Sequence, residues 1–199
     1  YSIAYIFGIL FGWAYAKKII KSFEKEEYNF KTIKSVEFDN LITYLVLGII
    51  LGGRIGYIVF YNFEYYNRNF LEAFKLWNGG MSFHGGLLGV IISIFIFSRL
   101  KKISFFKISD IISSVAPIGI FFGRIANFIN GELYGKVTDL PWAVIFQKTN
   151  NVSRHPSQIY EALLEGVFLF FLLNYLVLKK KLLLKPGYIS SIFLICYSI

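Results

Sequence analysis

Three polar side chains recur at helical spacing inside one strongly apolar segment of this 199-residue chain. Arg124, Asn127 and Asn130 stand three residues apart and therefore share one helix face. The planar guanidinium of arginine suits bidentate contact with a phosphate, and this contact is strong where the surround has a low dielectric constant. The pattern predicts an anion site, for which a phospholipid headgroup is the natural ligand.

Other ionisable residues also fall within or beside apolar segments, where a charge is costly unless it is paired or hydrated. Most of them lie toward the same end of their segments as Arg124: Arg54, His84, Glu132, Glu161 and Glu165. Asp110 lies near the opposite end, where an interfacial or helix-start role explains it. Snorkelling explains Arg54 and Arg124 without a function, but it does not explain why the whole set converges. The convergence favours a functional pocket.

The composition shows what kind of element must position these side chains. With 56% hydrophobic residues, 17% charged residues and a mean hydropathy of +0.57, a water-soluble fold is excluded. Because about 20 apolar residues cross a bilayer, the chain is predicted to be an all-α integral membrane protein. It forms one polytopic helical bundle over residues 1–199, with spans at 1–16, 41–61, 81–98, 108–130, 157–178 and 187–199. The first and last spans look clipped, so we expect a longer natural protein.

The positive charges indicate the orientation of the spans. Segments 17–40, 99–107 and 179–185 hold most of the 21 lysines and arginines, and all three fall on one side of the predicted bundle. By the positive-inside rule this side is cytoplasmic. The first span then starts outside, and the convergent polar residues lie toward the outer face. Topology and anionic lipid headgroups explain the net charge of +9 without a nucleic acid partner.

Two segments are predicted on the outer side. Residues 62–80 have the aromatic and charged texture of an interfacial helix, with Phe70, Phe74 and Trp77 on one stripe. Residues 131–156 contain turn formers and a short apolar run at 143–146, which predicts a small extramembrane head.

Several chemistries are excluded or disfavoured. One cysteine and two histidines cannot form a disulfide framework or a zinc cluster, and no metal or cofactor is predicted. The chain has neither the Gly-x-Ser-x-Gly elbow of hydrolases nor a phosphate-binding P-loop.

Glycine pairs four residues apart recur in the predicted spans, at 52 and 56, 85 and 89, and 119 and 123. This spacing predicts close helix packing. For Gly85 and Gly86, which follow His84, a minority alternative is that they clear room for a ligand.

Four motifs follow one another along the chain. They are GGRIGY at 52–57, GMSFHGG at 80–86, GRIANFINGELYG at 123–135 and RHPSQIYE at 154–161. In this order they resemble the motifs of the bacterial prolipoprotein diacylglyceryl transferase family, and residues 123–135 are similar to its signature at every specified position. The resemblance covers essentially the whole chain.

This resemblance implies a seven-span, multi-pass enzyme of the bacterial plasma (inner) membrane. It would move the sn-1,2-diacylglyceryl group of phosphatidylglycerol onto the lipobox cysteine thiol of a prolipoprotein signal peptide and release glycerol phosphate. By motif position, Arg124 matches the family's essential phosphate-binding arginine, and His84 matches a histidine proposed as a base. The expected substrate-binding residues are Arg124, Asn127, Asn130, Glu132, Gly135, Gly85, Gly86, Arg54 and Tyr1. The membrane lipid is itself a partner.

The chain departs from the family pattern at one point. The family carries a further arginine and a nearby glutamate in its next-to-last span, and one more span follows. The chain stops before them, so we expect that arginine just past Ile199.

The chemistry requires that a thiol lose its proton while charge develops on a departing phosphate. Arg124 is expected to hold that phosphate more tightly in the transition state. His84 could take the proton, or local positive charge could favour the thiolate, and both remain open. A transporter or flippase of an anionic lipid or small anion is the alternative function. A purely structural subunit would leave the polar cluster without a purpose.

Overall fold

The computed structural model describes residues 2–25, 33–147 and 151–198. Within these residues five helices are long and apolar enough to cross a membrane: Ile3–Glu24, Ser35–Tyr61, Phe83–Lys101, Phe105–Ile129 and Ser157–Leu178. They correspond to the first five predicted spans, and they confirm a polytopic helical membrane protein.

The helices carry nearly all of the secondary structure. Their bounds are α1 Ser2–Lys25, α2 Ser35–Tyr61, α3 Phe63–Arg68, α4 Phe83–Lys101, α5 Phe105–Ile129, α6 Ser157–Glu161, α7 Leu169–Leu178 and α8 Tyr188–Tyr197. A π-helical segment, Ala162–Phe168, joins α6 to α7 without a break. Short 3₁₀ turns lie at Phe70–Phe74, Leu76–Asn78 and Leu182–Leu184, and two short strands are β1 Val144–Ile145 and β2 Ser153–Arg154.

The first helix runs beyond its predicted end at residue 16. It continues to Lys25 because Ile19, Ile20 and Phe23 are buried along one face while lysines occupy the other. The Lys17 ammonium lies 4.8 Å from the centre of the Trp13 ring, a favourable cation–π distance. The first lysines of the predicted basic loop are therefore helical. The second helix likewise begins at Ser35 rather than at 41.

The sixth predicted span, 187–199, contains a shorter helix. Helix α8 has 10 residues and is about 15 Å long, roughly half the thickness of the hydrocarbon core. A span at this position stays a prediction.

Residues 31–108 form one compact unit, in which α2 and α4 cross at glycines. A Cβ atom added to Gly85 would lie 2.2 Å from the Gly52 carbonyl oxygen, and one added to Gly89 would lie 1.9 Å from the Gly48 carbonyl oxygen. The Ser93 hydroxyl donates a hydrogen bond of 2.8 Å to the Tyr44 carbonyl across the same crossing. These contacts confirm the packing predicted from the first two glycine pairs.

Residues 1–30 and 109–199 form the second compact unit. Here α1 lies against α5, because a Cβ added to Gly8 would be 3.1 Å from the Gly119 Cα. The Phe122 ring contacts those of Phe7 and Phe11, with both centroid distances at 5.8 Å. A Cβ at Gly119 or Gly123 itself would meet no heavy atom within 4 Å among the described residues. The close helix packing predicted from this glycine pair is therefore confirmed at Gly119, where α1 approaches through Gly8, and stays a prediction at Gly123.

The two segments predicted outside the membrane have little regular structure. Residues 62–80 form α3 and two 3₁₀ turns in place of one interfacial helix, although Phe70, Phe74 and Trp77 are all exposed. Within 131–156, strands β1 and β2 pair antiparallel, with Val144 opposite Arg154. The outer location of both segments stays a prediction.

Asp110 caps the last helix of its unit. Its carboxylate is 0% exposed and accepts hydrogen bonds from the Gly187 amide at 2.6 Å and from both the amide and the hydroxyl of Ser190 at 2.8 Å. Amides at a helix start have no partner within the helix, so an anion there is favourable. The helix-start role predicted for Asp110 is thus served at α8, not at its own helix.

Replacing Asp110 by asparagine is expected to lower the free energy of unfolding by about 2–4 kcal/mol, because charge-assisted hydrogen bonds to buried amides are lost. The asparagine side chain would also place its NH₂ group, a hydrogen-bond donor, against the donors of Gly187 and Ser190. Hydrogen exchange of residues 188–197 in detergent should rise sharply. Exposed Asp139, changed to asparagine, is the matched control. Equal protection of α8 in both variants would contradict the cap.

Candidate functional site

Arg124 lies between two carboxylates in the second unit. Its Nη1 is 2.9 Å from Glu161 Oε2, and its Nη2 donates a hydrogen bond of 3.0 Å to Glu165 Oε2. The three side chains are 21%, 34% and 24% exposed, in the order Arg124, Glu161 and Glu165. We call these three residues the Arg124 cluster.

The backbone explains why both carboxylates reach one arginine. Glu161 ends α6 and Glu165 lies in the π-helical segment. A π-helix is wider than an α-helix and is frequent at functional sites. Gly166 brings this segment close to α5, since a Cβ there would be 2.8 Å from the Phe121 Cβ. Phe121 is three residues before Arg124, so the contact lies one turn from the cluster.

An apolar cavity of about 190 Å³ adjoins this contact, with lining residues Pro117, Ile118, Phe121, Gly166, Val167, Phe170 and Phe171. The Arg124 cluster is thus next to apolar surface, which is formed by residues of α5 that precede Arg124 and by residues that follow Glu165. Coulombic interactions are strong where water is sparse. The cluster can therefore bind an anion through the arginine or exchange a proton through a carboxylate.

The residues that follow Arg124 join the end of α5 to the start of α6. The chain leaves α5 through a turn at Gly131, and the Glu132 amide donates to the Asn127 carbonyl at 2.9 Å. The Glu132 carbonyl in turn accepts from Gln158 Nε2 at 2.6 Å. Asn130 lies just past the end of α5 and is partly exposed. The predicted polar stripe thus continues into this junction.

Gly135 is a point of close backbone approach. Its amide donates to the His155 carbonyl at 2.9 Å, and its carbonyl accepts from Arg154 Nη1 at 3.2 Å. A Cβ added to Gly135 would lie 2.8 Å from the His155 Cβ. Gly135 therefore supports the junction, and the contacts give it a packing role.

A hydrogen-bonded aromatic relay, formed by Trp142, Tyr160 and His155, includes the residue that precedes Glu161 in the chain. The Trp142 indole N–H donates to the Tyr160 hydroxyl at 2.6 Å, and that hydroxyl lies 3.2 Å from His155 Nδ1. The relay fastens the segment 131–156 to α6, immediately before the cluster.

Arg54, in the other unit, is only 4% exposed and is surrounded by backbone carbonyls. Its guanidinium donates to five carbonyls of the segment that follows α3, those of Glu72, Ala73, Lys75, Gly79 and Gly80. Gly79 and Gly80 turn with φ angles of 74° and 84°, which are easy only for glycine. This arrangement favours a loop-positioning role for Arg54 over the predicted contact with substrate.

The same loop carries a local ion pair. The Glu72 carboxylate accepts hydrogen bonds from the Lys75 ammonium and from Asn78 Nδ2. The bond to Glu72 raises the pKa of Lys75. The charges of the loop are thus satisfied locally, while its carbonyls serve Arg54.

Replacing Arg54 by lysine is expected to free the loop at 70–80, because one ammonium cannot reach five carbonyls set around a planar fork. The loss of at least two such bonds lowers stability by about 3 kcal/mol. Limited proteolysis of this loop in detergent measures the effect. Exposed Arg68, changed to lysine, is the control. Unchanged cleavage in Arg54→Lys would show that the carbonyl cage does not hold the loop.

His84 lies in the first turn of α4 and is exposed, with its ring 5.6 Å from that of Phe83. Gly85 is buried at the glycine crossing, whereas a Cβ on Gly86 would come no closer than 3.8 Å to any described atom. Packing therefore requires glycine at position 85, whereas a Cβ at position 86 would make only ordinary van der Waals contact with Ile49. Tyr1, the remaining predicted substrate-binding residue, lies outside the described residues.

Sequence reasoning noted Glu161 and Glu165 but did not pair them with Arg124. The available signal was two carboxylates four residues apart in an apolar span, in a chain with an arginine inside another span. Because a charge in lipid needs a partner, the two carboxylates could have been predicted to pair with an arginine of another span.

Comparison with known proteins gives one consistent result. A family model described as prolipoprotein diacylglyceryl transferase matches residues 1–199. The chain is 50% identical over 199 residues to the phosphatidylglycerol–prolipoprotein diacylglyceryl transferase of Rickettsia bellii (strain OSU 85-389), covering 100% of this chain and 73% of the relative.

Two further relatives carry the same name. The protein of Rickettsia felis (strain ATCC VR-1525 / URRWXCal2) is 49% identical over 199 residues, which cover 100% of this chain and 74% of the relative. That of Rhizobium leguminosarum bv. trifolii (strain WSM2304) is 46% identical over 199 residues, which cover 100% and 71%.

Proposed function

Because this chain belongs to the prolipoprotein diacylglyceryl transferase family, we propose that Arg124 binds the phosphate of its lipid substrate. The chain is a membrane enzyme that transfers a diacylglyceryl group from phosphatidylglycerol to a prolipoprotein. The observation that carries the proposal is the Arg124 cluster, in which a guanidinium beside an apolar cavity is held by two carboxylates. A planar fork of this kind suits a phosphate whose acyl chains lie in lipid.

In this proposal the acceptor is the lipobox cysteine thiol of a prolipoprotein signal peptide. The thiolate attacks the glyceryl carbon that carries the phosphate oxygen, and glycerol phosphate leaves. Negative charge grows on the leaving phosphate. Arg124 therefore stabilises the transition state more than the ground state, which is how a binding group raises kcat.

The remaining site residues are proposed in supporting roles. Asn127, Asn130, Glu132 and Gly135 shape the junction that follows Arg124, and their place in the signature supports a part in substrate binding. A Cβ on Gly86 would make ordinary van der Waals contact with Ile49, so packing does not require glycine there as it does at Gly85, and a part in ligand binding is proposed for Gly86 more than for Gly85. His84 remains a predicted catalytic residue, Arg54 is proposed only to position its loop, and Tyr1 stays a prediction.

The proposed location is the bacterial plasma (inner) membrane, with the first helix starting outside and the active site toward the outer face. The concentration of lysines and arginines in the alternate segments supports this orientation. A prolipoprotein thiol delivered from the secretion route would meet the Arg124 cluster on that side.

The test uses the full-length protein in detergent with phosphatidylglycerol and a lipobox peptide. Release of glycerol phosphate and formation of the thioether are followed together, with Arg124→Ala beside the parent protein. We expect coupled formation of both products, lost in Arg124→Ala. A folded protein that binds phosphatidylglycerol and releases nothing would contradict the proposal and favour a transporter of anionic lipid.

A further inference from the structure

The two carboxylates that neutralise Arg124 are held differently. Glu165 Oε2 accepts a hydrogen bond from Nη2, whereas Glu161 Oε2 is close to Nη1 but not aligned for a hydrogen bond. That Glu161 oxygen is buried and has no hydrogen-bond partner among the described residues. The Glu161 side chain is also the more exposed of the two. Glu165 is therefore fixed to the arginine, and charge alone holds Glu161.

Binding of a phosphate must change this arrangement. The cluster has one positive charge and two negative charges, and a phosphate diester would add a third negative charge beside them. Like charges at this distance repel strongly where water is sparse. The two terminal nitrogens that form the arginine fork both face carboxylates. A phosphate that takes the fork formed by these two nitrogens displaces one carboxylate, and releasing Glu161 sacrifices no hydrogen bond.

The displaced carboxylate is then suited to accept a proton. It has lost its cation, stands close to a bound phosphate, and lies at the end of α6 beside the start of a membrane span. All three conditions disfavour the charged form of a carboxyl group. The acceptor thiol has a proton to lose, and only its thiolate is a good nucleophile.

We propose that Glu161 accepts the thiol proton once lipid phosphate has taken its place on Arg124, while Glu165 positions the arginine. The proton passes from sulfur to the Glu161 carboxylate, and a sulfur electron pair forms the bond to the glyceryl carbon. The carbon–oxygen bond breaks, and its electron pair leaves on the phosphate of glycerol phosphate. Glu161 then gives its proton to the departing phosphate or to water and pairs again with Arg124. This inference rests on the phosphate site proposed above.

The experiment compares Glu161→Gln with Glu165→Gln in the full-length protein, because both changes keep the shape of the side chain and remove one charge. For Glu161→Gln, kcat with a cysteine lipobox peptide should fall by about 10²- to 10⁴-fold, the usual contribution of a general base. Its KM for phosphatidylglycerol should stay equal or fall, because a competing anion is gone. Glu165→Gln should raise that KM with a smaller loss of kcat.

A selenocysteine form of the peptide separates proton removal from binding, because a selenol is already ionised at neutral pH. It should restore most of the lost kcat in Glu161→Gln and change the parent protein and His84→Asn little. Near-normal turnover of Glu161→Gln would overturn the proposal, as would a deficit that selenocysteine does not relieve or a rescue seen only in His84→Asn. Phosphatidylglycerol binding by Arg124→Ala is measured alongside. Undiminished binding there would instead mean that the phosphate site itself is wrong.

Discussion

Replacing Arg124 by lysine is expected to lower kcat by at least about 100-fold in the coupled assay with phosphatidylglycerol and a lipobox peptide. Lysine keeps the positive charge, so the change removes only the planar fork and the donors that face Glu161 and Glu165. Loss of one preorganised donor at a site of developing charge typically lowers kcat by about 10²- to 10³-fold. The ammonium can serve the phosphate or a carboxylate, but it cannot hold the whole cluster.

The matched control is Arg99→Lys, near the carboxyl end of α4, where the guanidinium lies 5.0 Å from the centre of the Phe95 ring. This variant should keep parent activity, which shows that an arginine-to-lysine change alone does not inactivate the enzyme. Both variants are first compared for folding by size-exclusion profile and thermal unfolding in detergent. Near-normal turnover of a folded Arg124→Lys protein would contradict the assigned role.

Replacing Gly85 by alanine is the second large expected effect, and it acts on stability. The new Cβ would lie 2.2 Å from the Gly52 carbonyl oxygen and 2.9 Å from the Gly56 Cα. Backbone cannot move aside as a flexible side chain can, so α2 and α4 must separate along their length. Overpacking of this kind typically costs about 1–3 kcal/mol and sometimes more, and we expect the upper end of that range.

Gly86→Ala is the control for this prediction, since its Cβ would come no closer than 3.8 Å to the Ile49 carbonyl oxygen. Thermal unfolding in detergent should show a markedly lower Tm for Gly85→Ala and little change for Gly86→Ala. Activity should follow Tm for Gly85→Ala. A loss of activity in Gly86→Ala at unchanged Tm would instead support a part for Gly86 in substrate binding. Equal Tm values would argue against the glycine crossing.

The helices could be predicted because lipid imposes a simple rule on sequence. A span must be apolar for about 20 residues, and the first five predicted spans contain long helices. The ends were less predictable. Lys17 and Lys21 were assigned to a loop, but α1 continues through them because Ile20 and Phe23 gain by burial on the opposite face.

The two in-span arginines show how far a sequence can define a site. Both Arg54 and Arg124 were predicted to serve a pocket or an anion, because a charge within an apolar span is costly unless it is paired or hydrated. The partners of Arg124 are the carboxylates of Glu161 and Glu165, and acidic residue types can be identified in a sequence. The partners of Arg54 are backbone carbonyls within residues 72–80. Every residue type has a backbone carbonyl, so no sequence pattern could predict this arrangement.

The contrast in glycines has a similar cause. The pairs at 85 and 89 and at 119 and 123 have the same spacing, yet a Cβ at Gly85 meets backbone within 2.2 Å and one at Gly119 or Gly123 meets nothing described within 4 Å. Spacing indicates that a face is smooth. How closely a neighbouring helix approaches that face depends on the arrangement of the helices.

The bond between Asp110 and the start of α8 also bears on how the protein is made. The ribosome completes α5 long before it reaches Gly187 and Ser190. The Asp110 carboxylate therefore enters the membrane region before the amides that will donate hydrogen bonds to it have been synthesised. An uncompensated carboxylate is costly there. Until the later segment emerges, Asp110 must remain hydrated at the insertion machinery or near the headgroups. We therefore expect α5 to reach its final position late in biogenesis, after residues 187–190 have been synthesised.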